Sequence, residues 1–298
     1  MFFGLKRWRK IKTDGYGGIS MTRQSLHNFR RNKMGMLGLI LIVVIVLFSI
    51  IGPFFSPWDP KKVNPAERHA PPSAEHWLGT DQLGRDTLTR IMYGGRVSIF
   101  IGIMSAVLST LIGVILGSIA GYYGKWFDSA IIYISEIMLS FPSMIITLVV
   151  VGIFGQSIEN VITIFSLTSW AQSMRMVRSR ILTLREEGFV ESCVANGIGG
   201  ASIMFRHMLP NLLGIVIVNI TLSTGGFILA ESGLSFIGYG IPTGIPTWGN
   251  MINAARSFNI MQNYITMWMA PGLTLTLFIV GLNFLGDGLV EAFDMRQV

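Results

Sequence analysis

A few polar residues stand out in a 298-residue chain that is 51% apolar and only 13% charged. Glu136 and Glu231 fall in or at the end of apolar runs. A carboxylate in hydrocarbon costs at least about 2.5 kcal/mol unless it meets water or a partner. Glu136 reads either as a pore-facing group or as a hydrogen-bond partner for a neighbouring helix. Glu231 reads either as part of an outer gate or as a bond to the adjacent GLSFIGYG turn. Asp81, Arg85 and Asp86 in TDQLGRD form either a structured cap that helps a soluble partner dock or a set of solvated ion pairs. His27, His69, His76 and His207 are scattered over loops without ligand spacing. His207 therefore reads as a contact or capping residue, not a metal ligand. The single cysteine, Cys193, leaves no pair for a disulfide or a metal site. No Ser/His/Asp set or carboxylate pair stands where nucleophilic or acid–base chemistry needs one, so no catalytic residue is assigned. The phosphate cradle G-x-x-x-x-G-K-[ST] is missing from the sequence, and GIGGAS (197–202) lacks its lysine. What remains is ESCVANGIGGASIMFRHMLPN (191–211), which carries glycines where a helix should continue and an apolar run that stops at a proline.

The elements that must carry these residues are membrane helices. Soluble domains carry about 25% charged residues, and a helix needs roughly 20 apolar residues to span a bilayer. Met34–Phe55 and Val97–Gly124 are charge-free runs. A third span, about Ser129 to Gly155, is interrupted by Glu136 and Pro142, the latter expected to kink it. Leu212–Ala230 and about Ile265 to Leu285 follow, with Glu231 closing the former. Asn160–Met174 is apolar but short.

Charge decides that last case. Lys6, Arg7, Arg9, Lys10, Lys12, Arg23, Arg30, Arg31 and Lys33 precede the first span, and Arg175, Arg178, Arg180, Arg185 and Arg206 follow Asn160–Met174. Basic residues stay on the cytoplasmic side, and both groups do so only if Asn160–Met174 crosses. The expectation is an all-α membrane protein with six transmembrane helices and both termini inside. Residues 1–33 form a cytoplasmic basic segment, 34–55 a retained anchor, not a cleaved signal, 56–96 an extracytoplasmic loop, and 97–298 the core. Trp77 and Trp248 suit an outer aromatic belt.

Residues 175–211 are then the longest inside connection and read as two short helices about a glycine bend. Asn196-Gly197 suits a left-handed helix end and Gly199-Gly200 a second turn. The second helix, roughly Ala201 to Leu209, pairs Met204 with Met208 and Phe205 with Leu209, and Pro210 is expected to end it. Such a knob could lie on the membrane surface, pack on its own bundle, or dock into a partner's groove.

Glu191, Gly197 six residues on, and Leu209-Pro210 resemble the EAA loop of ATP-binding cassette importer permeases, with ESC standing where that pattern has EAA. HWLGTDQLGRDTLTRIMYGGRVS (76–98), FRHMLPN (205–211), ESGLSFIGYGIPTGIPTWGNM (231–251) and FLGDGLVEAFDMR (284–296) resemble, in order, the oligopeptide/dipeptide/nickel group of those permeases, in particular the second of its paired permeases. The resemblance implies a type I importer transmembrane architecture and a coupling helix that plugs into a nucleotide-binding subunit. Glu191, Ala195, Gly197, Ala201, Phe205, Arg206, His207, Leu209 and Pro210 are the residues it places there; Glu136, Pro142 and Glu231 are channel or gate candidates. It implies a heterodimer with a second homologous permease, two ATP-binding subunits, an extracytoplasmic substrate-binding protein and surrounding lipid, in a bacterial inner membrane. It implies no cofactor or metal on this chain, with ATP and Mg on partner subunits, and no nucleic acid. Oligopeptides or dipeptides are the expected cargo, with nickel or another small solute as the alternative. A gradient-driven secondary transporter is the rival from another class, but it calls for several intramembrane charges and inverted halves, and the sequence offers mainly Glu136 and Glu231.

Overall fold

A computed structural model of the chain describes residues 27–253 and 256–293. Most of the basic head, Lys6 through Arg23, lies outside the described residues, as does Arg296. Within them the protein is helical, and its one β-bridge, between Thr80 and Asp86, is an isolated one.

Helix α1, Lys33–Ile51, starts where the Asn32 side chain accepts a hydrogen bond from the Gly35 amide. It continues through the 3-10 turn Gly52–Phe55. Helix α2, Thr87–Tyr123, is 37 residues long and begins ten residues before the predicted Val97. The reason is the Asp86 carboxylate, which accepts from the Thr89 amide at 2.7 Å and caps the helix inside the loop. After Gly124 come α3, Lys125–Ser140, and α4, Ser143–Phe154. Helix α5, Ile158–Arg185, is capped by Ser157, and α6 is Gly188–Ala195. Helix α7, Leu209–Ile237, is preceded without a break by Gly200–Ser202 and a π-turn, Ile203–Met208. The short helices α8, Trp248–Asn253, and α9, Phe258–Asn263, precede α10, Ile265–Ala292.

Lys33–Phe55, Thr87–Tyr123, Gly200–Ile237 and Ile265–Ala292 are long and apolar enough to cross a membrane, and α3 with α4 forms a bent pair that passes the same test together. The predicted crossing at Asn160–Met174 lies wholly within α5, whose 28 residues include Glu159, Arg175, Arg178, Arg180 and Arg185. The protein is thus an all-helical, multi-pass membrane protein with four to five candidate spans.

Small residues set how closely these helices pack, because an apolar solvent gives little hydrophobic push between them. A Cβ on Gly38 of α1 would lie 2.5 Å from the Gly281 carbonyl oxygen of α10, so the two backbones nearly touch. Gly113, Gly117 and Gly121 of α2 meet Ser173, Met174, Val177 and Ile181 of α5 in the same way. At the far end of the bundle, Trp248 is fully buried, meets Phe278 edge-on at 5.6 Å and donates its indole N–H to the Ile91 carbonyl. The predicted belt position for Trp248 is therefore wrong: the α7–α8 loop folds inward and carries the ring into the core. Trp77 is exposed.

Candidate functional site

The segment 186–211 forms a bent elbow at one end of the bundle. Helix α6 ends in a Schellman motif. The Ile198 amide bonds the Cys193 carbonyl at 3.1 Å and the Gly197 amide bonds that of Val194 at 2.9 Å. This closure requires a left-handed residue at position 197, and Gly197 has φ +72°. Nothing lies within 4 Å of where its Cβ would be, so the requirement is one of backbone conformation alone. The predicted bend is present at the predicted residue.

The second half of the elbow differs from expectation. Pro210 does not end a helix; it sits in the first turn of α7, and the helical path runs unbroken from Gly200 to Ile237. A proline ring ordinarily clashes with the carbonyl four residues back and deletes one helical bond. Here the preceding turn is the wider π form, Ile203–Met208, which reroutes the hydrogen bonds ahead of the ring. The Asn211 side chain donates to the His207 carbonyl, satisfying one acceptor there. The elbow is consequently rigidly continuous with a candidate membrane span.

Its two faces separate cleanly. Val190, Ile203 and Met208 are buried with Val177, Ile181 and Leu212, rooting the elbow on α5 and α7. Met204 is buried on the same side, while Phe205 and Arg206 point outward and Leu209 is half-buried. Glu191, Ala195, Ala201 and Pro210 are exposed, and His207 is half-buried. Phe189, Ile198 and Phe205 are further exposed apolar side chains of the elbow, and Val194, though exposed, faces the gap beneath α6. Beneath α6, Tyr122, Arg185, Val190, Glu191, Val194 and Ala195 line an open cavity of about 430 Å³. Tyr122 carries no signal in the sequence, and Arg185 stands there only as one of the basic residues that set the orientation. A Cβ on Gly200 would sit 2.8 Å from the Tyr122 ring, so this glycine serves close approach rather than a turn.

Glu136 and Pro142 lie apart from the elbow. Glu136 is exposed, with Arg175 of α5 at 3.8 Å, while the deeper tie between α3 and α5 is a two-pronged ion pair between Asp128 and Arg178, at 2.5 and 2.6 Å. Pro142 does more than kink a span: it separates two helices whose axes differ by 81°. Phe141 before it is extended, φ −103° and ψ 136°, as the residue preceding proline prefers.

The opposite end holds buried polar groups. Asp81, Arg85 and Asp86 are buried, which excludes the solvated reading and gives a structured cap. Arg85 donates to Asp81 from Nε at 2.7 Å, and Arg90 of α2 approaches the same oxygen at 3.4 Å. His76 is buried against Trp58, with Nδ1 2.9 Å from Asp86. Glu231 does not end its helix; it lies six residues inside α7 and is fully buried. Its Oε1 accepts from Ser235 at 2.8 Å and from Thr247 at 3.0 Å, so it ties α7 to the loop before α8. The GLSFIGYG segment is helical as far as Ile237, so the Ser235 bond lies within α7 and the contact beyond the helix is the one to Thr247.

Residues 113–298 match the family model described as binding-protein-dependent transport system inner membrane component, and residues 20–72 match that of the N-terminal TM domain of oligopeptide transport permease C. A dipeptide transport system permease protein of Alkalihalophilus pseudofirmus is 38% identical over 284 residues, 95% of this chain and 93% of that one. In Bacillus subtilis, a dipeptide transport system permease protein and an oligopeptide transport system permease protein are each 35% identical over 278 residues. Those alignments cover 93% of this chain and 87% and 90% of theirs.

Proposed function

The chain belongs to the family of binding-protein-dependent transport system inner membrane components, and from that premise we propose that it is the permease subunit of an ATP-driven peptide importer. It lines, with a second permease, the path of dipeptides or oligopeptides, and the elbow takes its motion from a separate ATPase subunit. The observation that carries the coupling role is the elbow itself. It is rooted by buried Val190, Ile203 and Met208, exposes Phe189 and Phe205 to a partner, and joins a candidate span without a flexible break. A rigid lever of this kind transmits a push, whereas a loose loop would absorb it.

In this reading the chain crosses an inner membrane six times, with α5 providing the sixth crossing and both termini inside. Glu159 then lies in the first turn at the outer end of α5, and Arg175, Arg178, Arg180 and Arg185 lie toward its cytoplasmic end. The exposed apolar surface of α3 and α4, including Tyr133, Phe141, Ile153 and Phe154, supports a permease partner and lipid as its cover. Two ATP-binding subunits carry ATP and Mg, and an extracytoplasmic binding protein delivers the peptide. Uptake of labelled dipeptide and of pentapeptide, measured with ATP hydrolysis in proteoliposomes holding the whole complex and its binding protein, tests the assignment. Peptide should stimulate both. Stimulation by a nickel chelate alone would refute the peptide cargo, and hydrolysis indifferent to both would refute the importer.

A further inference from the structure

At the end of the bundle away from the elbow, a cavity of about 310 Å³ opens between the loop before α2 and the segment joining α7 to α10. Its charged lining is lopsided. Among the described residues, Asp81 is its one carboxylate, set against the guanidinium groups of Arg85, Arg90 and Arg256. Asp81 is already engaged, accepting from Arg85 at 2.7 Å with Arg90 at 3.4 Å. Arg85 and Arg90 are both buried, at 7% and 3% exposure. Two buried guanidinium groups on one carboxylate leave positive charge unmatched, an unfavourable arrangement unless a further anion joins them. Thr87, 1% exposed, also lines the cavity, and its hydroxyl has no hydrogen-bond partner among the described residues. Arg256 stands exposed at the rim, where its guanidinium rests over the Phe236 ring at 5.6 Å. Guanidinium forks and a hydroxyl are the donors that oxyanions select.

We propose that this cavity is a binding site for a single oxyanionic group, a carboxylate or phosphate, held by Arg85, Arg90 and Thr87 and drawn in by Arg256. The site rests on the cavity and its charge alone and is independent of the coupling role given to the elbow. The same chemistry has two sources, the free carboxyl terminus of a peptide and inorganic phosphate.

The test uses the intact transport complex in nanodiscs of zwitterionic lipid, with radiolabelled phosphate as probe. Saturable binding is expected at one site per copy of this chain. Arg256→Gln and Thr87→Val should each weaken it, the former by about three- to tenfold, because a positive charge at the mouth of the cavity is lost. Arg256 is exposed, so its replacement keeps the fold even if Thr87→Val does not. Displacement of phosphate by N-acetyl-dialanine but not by its C-terminal amide identifies the peptide carboxylate as the source; no displacement by either identifies free phosphate. Phosphate binding that is absent, or equal in wild type and Arg256→Gln, overturns the site.

Discussion

Gly197 is the residue on which the elbow turns. Because its Cβ position is open, the strain of any substitution comes from the left-handed backbone, about 1–2 kcal/mol for an ordinary L-residue. Gly197→Val should therefore uncouple ATP hydrolysis from peptide uptake while the complex still assembles. Gly197→Asn, a residue that tolerates this conformation, should keep most of the coupling; equal loss in both variants would contradict a conformational cause. Glu136 presents the reverse case. It is exposed, and its one ion-pair partner among the described residues lies at 3.8 Å, a contact worth at most about 1 kcal/mol. Glu136→Gln should leave the thermal midpoint of the complex unchanged. Asp128–Arg178 is shorter, two-pronged and mostly sheltered. Arg178→Ala should cost about 1.5–3 kcal/mol, read as a lower midpoint in the same assay. The sequence displayed Glu136 as a lone acid within an apolar run, but hid the Asp128–Arg178 pair, because partners 50 positions apart carry no local signature.

At the scale of elements, the length of apolar runs locates the membrane helices and misjudges their ends. Apolar content falls off before a helix does. Thus α2 begins at a cap, Asp86, set among charged residues that a hydropathy reading assigns to a loop. Pro210 was misread for the opposite reason: proline stops an α-helix, and no composition signal announces the π-turn that accommodates it. Trp248 and Glu231 share a further cause. A tryptophan and a glutamate near a span's end look interfacial until a loop folds back over them, and Thr247 beside Trp248 bonds Glu231. The packing of α1 on α10 is a sharper test of the element scale. A side chain at Gly38 would meet the Gly281 oxygen and the Leu285 nitrogen at 2.5 and 2.6 Å, backbone atoms that cannot swing aside. Gly38→Val should push α1 off α10, seen as new protease sensitivity of the N-terminal span. Gly152→Val on α4, where nothing lies within 4 Å, should not.

For the whole molecule, the decisive length is that of α2. Its 37 residues extend about 55 Å at 1.5 Å per residue, against roughly 30 Å of hydrocarbon. Thr87 at one end lines the polar cavity and Tyr122 at the other lines the gap beneath α6. One helix thus joins the polar cavity to the gap beneath the elbow, the two regions that the proposed importer would turn toward cargo and motor. Coupling through the elbow requires that it lie on the cytoplasmic side and meet the ATPase. Val194→Cys, exposed on α6, in a Cys193→Ser background, tests it most directly. The new thiol should react with a membrane-impermeant maleimide in inside-out vesicles but not in right-side-out vesicles, and should cross-link to the ATP-binding subunit with a yield that changes when ATP is added. Labelling from the outer side, or no cross-link to that subunit in any nucleotide state, would contradict the account.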